Sequence, residues 1–171
     1  MMAMILPYNG KKPNISSKAY IMGDVTIVGD VDIGDFSSIW YYSVLRGDVN
    51  KIVVGNYSNI QDGCVVHVDS DADVNIGDYV TIGHRAVIHG CSIGSNVLIG
   101  MGSIIMNGAK IGDNVVIGAG TLVTGGKEIP PGCMVYGNPA RIVRELTGSE
   151  IENIKEGALE YIRLAAGKNN I

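Results

Sequence analysis

Aromatic side chains are scarce in this chain, 6% of 171 residues with one Phe and one Trp, although hydrophobic residues reach 46%. The core is therefore aliphatic. Charged residues are also few, at 18%, below the usual share of about 25%. Their balance of -4 offers no basic field for collecting phosphates, which excludes nucleic acid as the expected partner. No apolar run approaches the ~20 residues that span a bilayer. The opening Met1 to Leu6 is interrupted by Pro7, so neither a membrane span nor an export signal is expected. The three cysteines, Cys64, Cys91 and Cys133, lack paired metal-type spacing. They suit a cytoplasmic location and a reducing environment better than a disulfide frame, and read as small core hydrophobes.

Glycine is abundant, with 24 copies in 171 residues, about twice ordinary usage. No glycine period of three is present, which excludes collagen. The period that does exist is six. Aliphatic residues recur at Ile21, Ile27, Ile33, Ile39 and Leu45, then at Val54, Ile60 and Val66, then at Ile76, Ile82 and Ile88, and at every sixth position from Ile93 to Val135. Glycine often fills the next slot, and Asp or Asn follows closely, as in Gly55-Asn56 and Gly77-Asp78.

Six fits neither the 3.6 residues of a helical turn nor the alternation of a hairpin sheet. It fits a short strand plus a corner, with the aliphatic slot inward, the glycine at the turn and the Asp or Asn satisfying local backbone groups. Three such units close a triangular coil, and nineteen slots predict about six coils. This hexapeptide-repeat pattern resembles proteins whose fold is a left-handed parallel β-helix, which implies an all-β prism over roughly Ile21 to Val143. From Thr147 the pattern changes. Ser149 reads as an N-cap, and Ile151, Ile154, Leu159 and Ile162 lie near helical spacing. The expected division is a prism domain over 1–146 and a C-terminal α-helix with its tail over 147–171.

All three histidines fall in one stretch, at His67, His84 and His89. His67 follows slot Val66 and His89 follows slot Ile88, one coil later, so both stand on one edge about one strand spacing apart. His84 lies one face earlier. A face is on the order of 15 Å wide and a zinc to nitrogen bond is ~2.0 to 2.1 Å, so one chain offers two ligands and not three. A homotrimer in which His84 of one copy faces His67 and His89 of the next would complete the set. Such a three-imidazole site leaves a position for water, whose pKa zinc lowers to about 7. That chemistry suits hydration of a small electrophile, above all carbon dioxide to bicarbonate, and also attack on an ester. Arg46 stands one coil before His67 on the same edge, Asp62 lies beneath His84, and Gln61 is placed to orient the nucleophile.

Arg46-Gly-Asp48, Gln61-Asp62, His67, His84 with His89 five residues later, and Tyr136-Gly-Asn138-Pro139-Ala140 together resemble the γ-class carbonic anhydrase family over nearly the whole chain. The resemblance implies that the three histidines bind zinc, or iron or cobalt, at a trimer interface. It implies that Arg46, Asp48 and Asp62 knit subunits together and support the ligands, and that Gln61, Tyr136 and Asn138 line the pocket. Two departures stand out: Val49 and Ser70 occupy positions where the family prototype has glutamates tied to proton transfer, and the loop from Asp69 to Asp73 is short.

Each motif has a plainer reading. Arg46 and Asp48 could form a simple salt bridge, Gln61 and Asp62 are common turn residues, and Tyr136 and Asn138 could merely close the last coil. Gly120 to Lys127 lacks the Ser or Thr that a phosphate loop needs after its lysine. At the level of function, a non-catalytic metal- or bicarbonate-binding member and a hexapeptide acyltransferase are the rivals.

Overall fold

In a computed structural model, which describes residues 2–168, the aliphatic slots become the inward residues of short strands stacked in parallel into a solenoid of about seven turns. On the first face Ile5, Ile27, Leu45, Val66, Ile88, Ile105 and Val123 pair in succession. The second face runs from Ile15 to Ile129 and the third from Ile21 to Val135 in the same manner. Two long strands, Thr26–Ile33 and Val44–Val54, turn the corner between the first two faces. From Ile27 onward the slot side chains are buried almost completely. No coil could bury them alone, so stability comes from stacking.

The count of coils exceeds the expected six. The additional coil precedes Ile21 and contains the strands Met4–Leu6 and Asn14–Ile15. A small hairpin in which Tyr8 bridges Lys11 separates them. Its extra residues break the six-residue period and hide the coil in the sequence. At the other end the strand Arg141–Glu145 doubles back antiparallel on Cys133–Tyr136. That pairing covers an edge otherwise open to another chain.

Corner residues bond to the next coil rather than to their own turn. Asn56 Oδ1 accepts the Asp35 N–H at 2.8 Å, Asp78 Oδ1 accepts from Asn56 at 2.6 Å, and Asp113 Oδ1 accepts from Ser95 at 2.7 Å. At the strand spacing of about 4.8 Å the neighbouring backbone is the nearest unsatisfied donor. The same corner carries Phe36, Tyr57 and Tyr79 at φ 58°, 57° and 56°. These rings stack at 5.3 and 4.9 Å, with Lys18 over one end and Lys155 over the other. Stacking and cation–π attraction offset the left-handed backbone that bulky residues disfavour.

The helix Gly148–Lys168 lies along the third face, with Ile154, Ala158 and Ala165 buried and Tyr161 edge-on to Trp40 at 5.4 Å. The end of the expected C-terminal unit, residues 169–171, lies outside the described residues. The N-cap is Thr147, not Ser149. Thr147 Oγ1 accepts from Glu150 N–H at 3.3 Å, and Glu150 Oε2 accepts from Thr147 N–H at 2.9 Å. A glutamate three residues on makes this reciprocal box available to Thr147. Arg144 grips the same carboxylate at 2.8 and 2.7 Å.

The hydrogen bonds from Arg144 and then Thr147 bring Glu150 down from 4.5 to about 2. A lowered folded pKa means that this contribution is complete above pH 4.5 and fades as pH falls toward 2. Acid titration followed by Trp40 fluorescence should show helix undocking in that window. Glu150→Gln should flatten the response there. An unchanged profile would remove Glu150 as its source.

Candidate metal centre

The register brings His67 and His89 side by side. Their strands, Val65–His67 and Val87–His89, pair with His89 opposite His67. His67 Nδ1 lies 2.9 Å from His89 Nε2, and the rings meet edge to face with centroids 4.9 Å apart. His84 stands at the corner that precedes Val87–His89, at the opposite margin of this face. Among the described residues no three His, Cys, Asp or Glu side chains converge within the single chain.

Each histidine has one ring nitrogen held by an acceptor. His67 Nε2 faces Asp48 Oδ1 at 3.1 Å, and Arg46 pairs with the other oxygen of Asp48. Burial works to raise the Asp48 carboxyl, but the hydrogen bonds from Arg46 and His67 outweigh it and leave the group below 3.8. An ionised carboxylate only accepts, so His67 donates from Nε2 and keeps Nδ1 bare. His84 Nδ1 meets Asp62 Oδ2 at 2.9 Å, which leaves Nε2 on the far side of the ring from that carboxyl. His89 Nδ1 meets Asn107 Oδ1 at 2.5 Å.

His67 Nδ1 and His89 Nε2 thus face each other at 2.9 Å, where a shared proton or a cation between them would satisfy both. Two nitrogens on one tetrahedral zinc lie about 3.3 Å apart at bond lengths of ~2.0 to 2.1 Å. The donor set thus fits a borderline metal ion that favours imidazole. Each ring is also backed by an acceptor, as metal-bound histidines usually are.

Gln61 is 5% exposed. Its Oε1 accepts the His84 backbone N–H at 3.2 Å, and its Nε2 donates to Asn59 Oδ1 at 3.2 Å. Asn59 in turn donates to Thr81 Oγ1 at 2.9 Å. Gln61 therefore holds the turn that presents His84. Tyr136 and Asn138 stand elsewhere in this chain. The ladder Ile82, Ile99, Ile117, Val135 places the Tyr136–Asn138 segment three coils beyond the His84 turn, roughly 14 Å along the axis at ~4.8 Å per strand. Both residues are exposed, and the Tyr136 ring covers Gly118.

Asn107 and Asp69 join the site without having been expected there. Asn107 lies one coil beyond Gly90, next to His89. Its Nδ2 donates to Asp69 Oδ2 at 2.5 Å. The signal available in sequence was that register position alone. None of the cysteines contributes: Cys64, Cys91 and Cys133 are free and buried, and burial pushes the Cys64 thiol up to about 11 and Cys91 to about 12. Among the described residues no helix is long and apolar enough to cross a membrane.

Residues 90–125 match the bacterial transferase hexapeptide (six repeats) model. A probable carbonic anhydrase of Methanocaldococcus jannaschii is 64% identical over 151 residues, 88% of this chain and 95% of that protein. The mitochondrial gamma carbonic anhydrase 2 of Arabidopsis thaliana is 43% identical over 91% of this chain and 58% of that protein. Among solved structures, a putative acetyltransferase from Bacillus cereus superposes with a TM-score of 0.95 at 44% identity, covering 96% of each chain. With the repeat, the stacked prism and the paired histidines in place, the likeness runs through nearly the whole length, and the chain belongs to the γ-class carbonic anhydrase family of hexapeptide-repeat proteins.

Proposed function

We propose that the protein is a metal-dependent carbonic anhydrase that hydrates carbon dioxide to bicarbonate at sites shared between the subunits of a homotrimer. The observation that carries this reading is the convergence of two ring nitrogens, His67 Nδ1 and His89 Nε2, at 2.9 Å while side-chain oxygens face their opposite nitrogens. These two atoms and His84 of a neighbouring copy would hold Zn2+, with Fe2+ or Co2+ as alternatives. The ion supplies a Lewis acid that makes a water acidic near neutral pH.

The outward side of the first face supports the trimer. Its outward column runs Val44, Val65, Val87, Ile104 and Leu122, of which Val65 and Ile104 are 41% and 39% exposed and the other three half-buried. The second face presents Asp32, Asn75, Lys110 and Glu128 outward, and the helix covers the third. The apolar face lies between the His84 corner and the His67–His89 edge. A threefold ring packed through it brings the corner of one copy against the edge of the next.

The residues of this chain then have separable roles. Asp48, held by Arg46, keeps the proton of His67 on Nε2. Asp62 does the same for His84 at Nδ1, and Gln61 fixes the His84 turn, its second amide hydrogen remaining for a ligand in the pocket. With Val49 and Ser70 in place of carboxylates, proton export falls to external buffer. A reducing, cytoplasmic setting suits the three buried free thiols.

Metal analysis of protein purified without oxygen should give one ion per subunit. Stopped-flow hydration should then accelerate strongly with buffer concentration. Stoichiometric metal with no rate at any buffer concentration would favour a metal- or bicarbonate-binding role without turnover. Absence of metal together with acyl-thioester transfer would favour an acyltransferase, the activity named for the Bacillus cereus relative.

A further inference from the structure

The short loop after His67 is tied directly to the second histidine. Asp69 N–H and Ala72 N–H exchange hydrogen bonds with each other's carbonyls at 2.9 and 3.2 Å, and Asn50 Nδ2 reaches the Asp69 and Ser70 carbonyls at 3.3 and 3.4 Å. The Asp69 carboxylate is thereby presented to donors at both oxygens, with Ser70 Oγ adding a long bond to Oδ1 at 3.4 Å. Oδ1 accepts the Ser70 N–H at 2.7 Å, and Oδ2 accepts Asn107 Nδ2 at 2.5 Å.

A carboxylate cannot donate, so the amide of Asn107 has one permitted orientation: Nδ2 toward Asp69 and Oδ1 toward His89. A carbonyl oxygen cannot donate either. His89 must then carry its proton on Nδ1, which strips Nε2, the nitrogen that faces His67. We propose that Asp69 and Asn107 are positioning residues, a two-member relay that sets the tautomer of His89 and so creates the second donor of the pair. This deepens the metal reading above and rests on it for its purpose, though not for its test.

The relay has a property that packing alone lacks. In Asp69→Asn, the new amide can donate to Asn107 Oδ1. Asn107 is then free to turn and offer Nδ2 to His89, which forces the proton onto Nε2. The exchanged pair, Asp69→Asn with Asn107→Asp, restores the original sense, because the amide at 69 donates to the carboxylate at 107 and that carboxylate accepts from Nδ1.

The test reads both tautomer and metal. Long-range proton–nitrogen correlation of histidine-labelled, metal-free protein at about pH 8, above the ordinary imidazole value of about 6.5, should give Nδ1-protonated His89 in the parent chain. Asp69→Asn should move it toward the Nε2-protonated form, Asn107→Leu should give a mixture, and the exchanged double variant should return to the parent signature. Zinc affinity, measured by competition with a chromophoric chelator, should fall about 10–100-fold in the two single variants, as for other residues behind metal-bound histidines. It should recover in the exchanged pair. Tautomer signatures identical in all four proteins would overturn the relay, as would an exchanged pair no better than Asp69→Asn. If the tautomers shift as expected while none of the four proteins binds zinc, the relay stands and the metal reading falls.

Discussion

Mixing two inactive variants should restore metal binding and hydration. In the proposed trimer, copies of His84→Ala keep the His67–His89 pair but lack the third imidazole, and copies of His67→Ala keep only the third imidazole and His89. In a mixed ring, one junction brings the intact His84 corner of a His67→Ala subunit against the intact pair of a His84→Ala subunit. Equal, random mixing makes about three-quarters of rings mixed, each with one complete site of three, so recovery should reach about one quarter of the parent value. In the proposed site each imidazole would be a ligand of the ion, so each single variant should fall by several orders of magnitude in hydration. Refolding the variants together and measuring zinc content and hydration rate checks this. Recovery absent from a verified mixed trimer would exclude a site shared between copies. Full metal content in His84→Ala alone would exclude His84 as a ligand.

The second large effect concerns the stack. A Cβ on Gly100 would overlap the Ala119 backbone nitrogen and stand 2.7 Å from the Gly118 carbonyl carbon, both in the next coil. Neither can move without breaking the ladder from Leu98 to Val116. Gly100→Ala should therefore cost about 2–3 kcal/mol, as overpacking does, and lower Tm by roughly 4–12 °C for a chain of this size. Gly102→Ala is the control. Its Cβ meets nothing within 4 Å, so only the left-handed backbone conformation is penalised, by about 1–2 kcal/mol. Equal melting of the two variants would show that coil spacing is not what demands glycine at 100.

Much of this architecture is legible in the residues because one repeating unit does one job. Ile82, Ile88 and Ile99 each fill the inward slot of a strand, and a six-residue step permits few other solutions. The same register predicts that His67 and His89 are neighbours and that His84 is not. Legibility ends where a contact depends on a departure from the repeat. The Tyr8–Lys11 hairpin hides the first coil, and the loop after His67 carries Asp69 to Asn107 across a gap of 38 residues in sequence. Thr147 displaces Ser149 as the cap because the deciding partner, Glu150, acts through two reciprocal bonds at once. The position of Gln61 is legible but its role is not, because its burial and its bond to the His84 backbone arise only when the third face is assembled.

The distance between the histidine ridge and the Tyr136 end is set by whole coils and nothing finer. Inserting one complete triplet of hexapeptides between Ile117 and Val135 would translate the C-terminal cap by one rung and leave every contact of His67, His89 and Asn107 in register. Inserting a single hexapeptide would instead rotate everything downstream by one face, carrying the helix off the side it now shields. Length in this rod is thus quantised, and only one of its quanta is silent at the site.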